Sequence, residues 1–329
     1  MAKDKQIKLF SQNAPTEKEI FCKLQENFVP QYKAVFHDRM AAKTVVVIPS
    51  LTLDPFILAK IDGIVHYEER LLCLLLFLRM PRTHIVYVTS TPVDPLILDY
   101  YLHLLPGITG EHARQRMHFF SCYDSSPVSL TEKILARPRL IKRIMNAIPD
   151  GHLAHLACFN VTEHERTLSA TLGLPVYGCD PDLLFWGTKS GSREIFRECG
   201  MEMPPGYENL QNEEQIIKAL ADLYIADPLL KKAVVKMNDG FSGEGNAVFP
   251  YDTITNNENV EEEIRQLLPR VLEIVATDLS YDHFIDKFTS MGGIVEAFID
   301  APHKTSPSVQ CRINPLGEID IISTHDQLM

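Results

Sequence analysis

Apolar positions in the first half of the chain fall into short unbroken runs separated by stretches of helical period. Thr44 to Pro49 and His84 to Thr89 are β-branched runs without polar alternation. Such runs suit strands buried on both faces of a parallel sheet. Within residues 1–40, Phe21, Leu24, Phe28 and Tyr32 recur near the 3.6-residue period of a helix. Helices are predicted over 68–79, 96–105 and 129–146, with further strands at 118–121, 155–158 and 174–177. Each of the first two strands runs into a turn holding Asp-Pro and then a helix, which is βαβ construction. The Asp-Pro pairs themselves read as turn and cap chemistry.

The pattern changes at Gly187. A helix over 193–199 is stopped by Gly200, and Met203 to Gly206 is a breaker. A helix over 212–225 leads to two short strands, Ala233 to Val235 and Ala247 to Phe249, around Gly240, Gly243 and Gly245. Residues 257–277 read as a helix interrupted at Pro269. A strand follows over 293–300, then a hairpin of 310–314 with 318–323 across Pro315 to Gly317. The fold class is therefore α/β: an open parallel-sheet domain, then an α+β region. The divisions are a helical segment of 1–40, an α/β domain of 41–186, and a second region of 187–329, itself split at 299. The hairpin's alternating Val309, Cys311, Ile313, Ile319 and Ile321 call for a covering layer, so the second region is expected to be incomplete at its C-terminal end.

The chain has 329 residues, 45% of them hydrophobic, enough for two domains with sizeable cores. A formal net charge of −11 with no basic run argues against a nucleic-acid surface. The seven cysteines are scattered without a C-x-x-C pair, as expected of reduced thiols in the cytoplasm. Residues 1–20 are polar and charged, unlike a signal peptide. The longest apolar run, Leu71 to Leu78, is too short to span a bilayer, so no membrane partner is expected.

The candidate chemistry lies at the glycine turn. Gly240, Gly243 and Gly245 are interleaved with Ser242, Glu244 and Asn246, and Lys236 stands at the end of the incoming strand. Glycine lets backbone N–H groups approach an anion, and an ammonium beside them suits a polyphosphate. A plain glycine-rich hairpin is the competing reading. The turn is not a Walker A loop, because no G-x-x-x-x-G-K-[ST] occurs. It is not a dinucleotide fingerprint either, because no helix follows the glycines.

Three segments stand in an ordered set: Thr188-Lys189 before a helix, Lys236 with its glycine loop, and the strand Val295 to Ile299. This order resembles the ATP-grasp superfamily. Asp180 to Leu183, running into Gly187 to Arg193 behind an α/β domain, is similar to carboxylate–amine ligases with a pre-ATP-grasp domain, the pheganomycin-type peptide ligases among them. The resemblance implies that 41–186 is the pre-ATP-grasp domain and 187–329 the ATP-grasp region. It implies ATP and Mg2+ as cofactors, with Lys189 and Lys236 on the phosphates and the loop of Gly240, Ser242, Gly243, Gly245 and Asn246 closing over them. Ser190, Ser192 and Arg193 are expected to help cradle the anion at the helix start. Glu296, Ala297, Phe298 and Ile299 would form the adenine hinge through their backbone, and His303 would reach the ribose. Arg312 is the candidate for stabilising the transferred phosphoryl group, and Asp326 and Glu318 are the candidates for Mg2+.

Competing readings stand beside these. Lys189 is otherwise a solvated helix-start residue, Lys236 an edge-strand lysine, Phe298 a core aromatic, and Asp326 and Glu318 turn residues. The implied reaction joins a small-molecule carboxylate to an amine, such as an amino acid or peptide, through an acylphosphate. Asp54, Asp94 and Glu163 to Glu165, near strand ends of the front domain, are expected to shape the substrate crevice. The alternative function is a non-catalytic nucleotide-binding or interaction module; a homo-oligomer is compatible with either.

Overall fold

This computed structural model describes residues 15–53, 58, 61–240, 245–255, 259–301 and 305–327. The chain divides into two compact units, one of 1–181 with 307–325 and one of 182–306 with 326–329.

The first unit opens with α1 (Glu17–Val35), capped reciprocally by Thr16 and Glu19. There follow β1 (Lys43–Ile48), a 3-10 helix (Ile64–Arg79), β2 (Thr83–Thr89), α2 (Pro95–His103), α3 (Gly110–Arg114), β3 (Met117–Ser121), α4 (Leu130–Leu135), α5 (Pro138–Asn146), β4 (Leu153–Cys158) and α6 (Glu163–Leu172). The four strands form a parallel sheet in the order β3-β2-β1-β4. Val46, Ile48, Val86 and Val88 pack on one side with Phe21, Ile134, Ile144 and Leu168. Val45, Val47, Ile85 and Tyr87 pack on the other with Leu72, Leu75, Leu78 and Leu102. Both faces are covered, which is why these strands carry no polar alternation.

Three elements differ from expectation. The segment predicted as an α-helix over 68–79 is the 3-10 helix, and its buried Leu72, Leu75 and Leu78 recur every third residue, the period of that geometry. The helix predicted over 129–146 is broken before Pro138, which cannot donate to the preceding turn, and Arg137 is extended at φ −125°. The strand predicted at 174–177 is reduced to a parallel bridge of Val176 to Leu156.

The carboxyl edge of this sheet is filled by its own polar groups. Thr52 and Asn160 exchange two hydrogen bonds between the loops after β1 and β4. Glu165, fully buried, accepts from the Thr52 hydroxyl and from the Thr162 N–H and hydroxyl. Glu163 pairs with Arg166, and Asp94 caps α2 by accepting from Leu96 N–H. The carboxylates expected to shape a substrate crevice are thus engaged in capping and pairing; Asp54 lies outside the described residues. Beside them Glu68 accepts from the Ser90 N–H and hydroxyl, and the Lys133 ammonium donates to that hydroxyl at 2.9 Å. The cavity over this cluster measures about 20 Å³, room for about one water.

The second unit contains α7 (Lys189–Glu198), β5 (Gly206–Leu210), α8 (Glu213–Ala226), β6 (Lys232–Met237), β7 (Asn246–Pro250), α9 (Val260–Val271), β8 (Glu273–Ile274), α10 (Tyr281–Met291) and β9 (Gly293–Ala297). The strands form an antiparallel sheet in the order β5-β9-β6-β7-β8. Its core joins Ala233, Val235, Met237, Ala247, Phe249 and Val295 to Ile216, Leu220, Ile264, Leu268, Phe284 and Phe288. The helix expected over 257–277 ends at Val271, two residues past Pro269. Neither β5 nor α10 was expected from the sequence pattern.

The last elements, β10 (Ser306–Ile313) and β11 (Ile319–Gln327), pair as a two-stranded sheet. Asn314 closes the turn by accepting from the N–H groups of Leu316 and Glu318. Most of the hairpin groups with the first unit rather than with the second region, and the charges of Arg312 and Asp320 are felt at Tyr32 of α1. Val309, Ile313, Ile319 and Ile321 are 58–72% exposed. With little apolar surface buried, amides of 309–322 should exchange with solvent much faster than those of 45–48. Equal protection in a hydrogen-exchange experiment would refute this.

His155 of β4 lies against the rings of Phe28 and Tyr177, at centroid distances of 5.3 and 6.4 Å. Burial, and then the charge of Lys43, pushes its pKa down to about 4. The unfolded chain takes up the proton below about pH 6.5, whereas the folded chain resists it. Stability from this group is therefore present above pH 6.5 and lost as pH falls towards 4, at up to about 1.4 kcal/mol per pH unit. Denaturation midpoints measured from pH 7 to 4 should show this slope, and His155→Phe should flatten it.

Candidate functional site

Strand alternation sets the site. On β6, Ala233, Val235 and Met237 enter the core, so Lys236 points to the opposite face of the sheet. On β9, Val295 enters the core and Glu296 points the other way. The register places Val234 opposite Glu296 and Lys236 opposite Ile294, so Lys236 and Glu296 are diagonal neighbours on one face. Their charged ends meet at 2.5 Å. From α7, Arg193 donates to Glu296 at 2.8 Å, to Glu208 of β5 at 3.1 Å, and to the Pro204 carbonyl at 3.0 Å. Arg193 and Glu296 are both buried.

Lys189 is the first residue of α7, after the N-cap Thr188. Its ammonium lies 3.4 Å from the Asn238 carbonyl oxygen. Burial lowers its pKa, the Asp239 carboxylate opposes this, and the charge of Lys236 lowers it further. The two lysines are thus close enough to repel. Gly240, just after β6, stands beside Lys189: a Cβ built on it would lie 3.6 Å from the Lys189 ammonium. Gly240 and Gly245 face each other, a Cβ on either meeting the other's backbone at 3.1–3.2 Å. Close approach, rather than a left-handed φ, accounts for glycine at these two positions.

The first turn of α7 is not an open anion cradle. The Ser190 N–H donates to the Asn238 side chain, and the Gly191 N–H to Thr188. The Ser190 hydroxyl is buried between Gly293 and Asn209, and the Ser192 hydroxyl donates to the Thr188 carbonyl. With Arg193 held by two carboxylates, none of Ser190, Ser192 and Arg193 is presented as the sequence reading expected. The Lys189 ammonium is what this helix start offers.

The remaining candidates separate. Asn246 pairs with Lys236 across β6 and β7. The N–H groups of Ala297 and Phe298 donate to the carbonyls of Pro205 and Lys232, so the donors expected to face a base are spent in the sheet. Ile299 is exposed just beyond. Ser242, Gly243 and His303 lie outside the described residues. Arg312 is exposed on β10 and paired with Asp320 at 2.7 Å, a surface pairing within the hairpin. Glu318, just before β11, accepts from the Asn314 amide at 2.7 Å, and Asp326 is exposed near the far end of that strand. Eight residues of strand put them roughly 26 Å apart, so one ion cannot take both. No group of three or more metal-ligating side chains occurs among the described residues, and the expected Mg2+ site does not fit this pair.

Sequence reasoning missed Asn238, Asp239 and Glu208. Asn238 was the most legible of them, as a polar residue directly after a core strand and before the glycine.

Residues 183–274 match the family described as IQCH-like, ATP-grasp. Among curated proteins, the L-propargylglycine--L-glutamate ligase of Streptantibioticus cattleyicolor is 25% identical over 301 residues, covering 89% of this chain and 60% of that protein. IQ motif-containing protein H of Danio rerio is 22% identical over 335 residues, covering 89% of this chain and 32% of that protein. The chain therefore spans less than two thirds of either relative. Among solved structures, the ADP complex of N5-carboxyaminoimidazole ribonucleotide synthetase has a TM-score of 0.43 at 13% identity, covering 88% of this chain and 55% of that one. The Thermus thermophilus enzyme of that name has a TM-score of 0.39 at 12% identity, covering 86% and 54%. The chain resembles that ligase over most of its length, and its second unit resembles the ATP-grasp family over 183–274, the stretch that holds both lysines and both facing glycines.

Asn238 ties the start of α7 to the end of β6, its amide also donating to the Met291 carbonyl at 3.2 Å. Asn238→Ala should cost about 1–3 kcal/mol in urea denaturation, because Ser190 N–H is left without its partner. A loss below about 0.5 kcal/mol, the usual size for a surface change, would show that this tie is unimportant.

Proposed function

We propose that the second unit binds ATP, with Lys189 and Lys236 on the polyphosphate, and that the protein uses it to join a carboxylate to an amine. The observation that carries the reading is the Lys189 ammonium beside the facing glycines Gly240 and Gly245, within the field of a second lysine, Lys236. Two like charges, one of them partly desolvated, are costly side by side, and an anion between them turns repulsion into attraction. A glycine pair without side chains leaves room for phosphate oxygens near the backbone.

In the proposed reaction a carboxylate oxygen attacks the terminal phosphorus of ATP and ADP leaves. The amine then attacks the acyl carbon of the acylphosphate and inorganic phosphate leaves. The lysines neutralise charge on the phosphate oxygens and hold the chain in line, a task of position and electrostatics that calls for no side-chain nucleophile. The carboxylate and amine substrates are of the amino-acid or peptide class, by analogy with the relative whose name pairs L-propargylglycine with L-glutamate. A second reading, nucleotide binding without catalysis, is favoured by the separation of Glu318, before β11, from Asp326 near its far end.

Trp186, the one tryptophan of the chain, is 45% exposed and its backbone abuts Gly191 in the first turn of α7. Its fluorescence should report ADP binding. Lys236→Ala should weaken ADP by ~10- to 100-fold, the loss of a charge-assisted contact. Phosphate release from ATP in the presence of amino acids or dipeptides separates the two readings: release dependent on both substrates supports ligation, and binding without release supports the module. No ADP binding by folded protein would end both.

A further inference from the structure

We propose that Arg193 is a positioning residue for Lys236, acting through the carboxylate they share, Glu296. The geometry stands by itself; its consequence for nucleotide rests on the reading above. Glu296 is buried and its two oxygens are divided, one to Lys236 and one to Arg193. Arg193 is buried more deeply than Lys236 and is fixed by two further acceptors, Glu208 and the Pro204 carbonyl. A guanidinium presents several donors in a rigid fork, so it can serve Glu208 and Glu296 together. Lys236 has a flexible stem, and its ammonium lies at the more exposed end of the network.

The asymmetry assigns the roles. Arg193 is the permanent partner of Glu296, and Lys236 is the one that can be given up. When Lys236 turns to a phosphate, Glu296 remains neutralised by Arg193 and is not left as a buried unpaired charge. Without Arg193, Lys236 is the only cation on Glu296, and releasing it becomes unfavourable. Arg193 therefore sets how freely Lys236 reaches a ligand, although Arg193 itself touches none.

The test uses the full chain and two readouts. The first is the acetylation rate of Lys236 in nucleotide-free protein, followed by mass spectrometry with exposed Lys218 as internal reference. Arg193→Met should slow Lys236 at least about threefold, because Glu296 is then left with that ammonium as its sole cationic partner and keeps it enclosed. Glu296→Gln should speed it, and Arg193→Met/Glu296→Gln should behave like Glu296→Gln alone. The second readout is ADP titration by Trp186 fluorescence. Arg193→Met should weaken ADP about tenfold, and adding Glu296→Gln should restore most of that loss. Arg193→Lys keeps a cation beside Glu296 and should rescue both readouts in part; it also serves if the methionine variant does not fold.

A purely structural arginine would lower the melting temperature and leave the Lys236 rate unchanged in both Arg193 variants, and that result overturns the proposal. Slowing that persists after Glu296→Gln overturns it as well. If wild-type protein binds no ADP while the acetylation pattern holds, the nucleotide reading fails and the shared carboxylate stands.

Discussion

The second unit depends on one buried cation. Arg193 joins α7 to β5 through Glu208 and to β9 through Glu296, and by way of Glu296 it reaches Lys236 of β6. Buried charges are tolerated only when paired and hydrogen-bonded, and removing one member of such a set strands the others. The network therefore fixes helix and sheet in one arrangement rather than adding a surface contact. Because Lys189 is the first residue of the same helix, its position relative to Lys236 is set by the same anchor, with Asn238 as a second tie.

The two sheets use their strands differently, and chemistry follows from the difference. In the first unit both faces of β1 and β2 are apolar and covered, which leaves polar groups for the strand ends. There Thr52, Asn160, Glu165, Ser90 and Lys133 satisfy one another. In the second unit one face of the sheet takes the helices α8, α9 and α10, and the other carries Lys236 and Glu296 beside Arg193 of α7. An antiparallel sheet with a single apolar face can place charges along its strands without breaking its core.

Much of this was legible in the sequence because it rests on local signals. Unbroken β-branched runs marked β1 and β2, and two short runs of the same kind on either side of the glycines marked the β6–β7 hairpin. The pattern set Thr188-Lys189 before a helix over 193–199, and the helix begins earlier, at Lys189 itself; the charge of Lys236 is felt there. Other features were hidden because competing local and tertiary effects outweighed the pattern. A leucine every third residue hid a 3-10 helix behind an apparently α-helical run, and a proline split one predicted helix in two.

By itself, the sequence determined the two kinds of sheet, the glycine turn and the two lysines, since strand period, backbone permissiveness and helix capping act over a few residues. Only the tertiary structure decided what each charge does. Arg193 and Glu296 stand 103 positions apart in the chain, and their pairing follows from the register of β9 against β5 and β6 and from the docking of α7. The same long-range packing committed Ser190 and Ser192 within the fold. Propensity and motif carry no information on such partnerships, because the partners meet only after the sheet has formed.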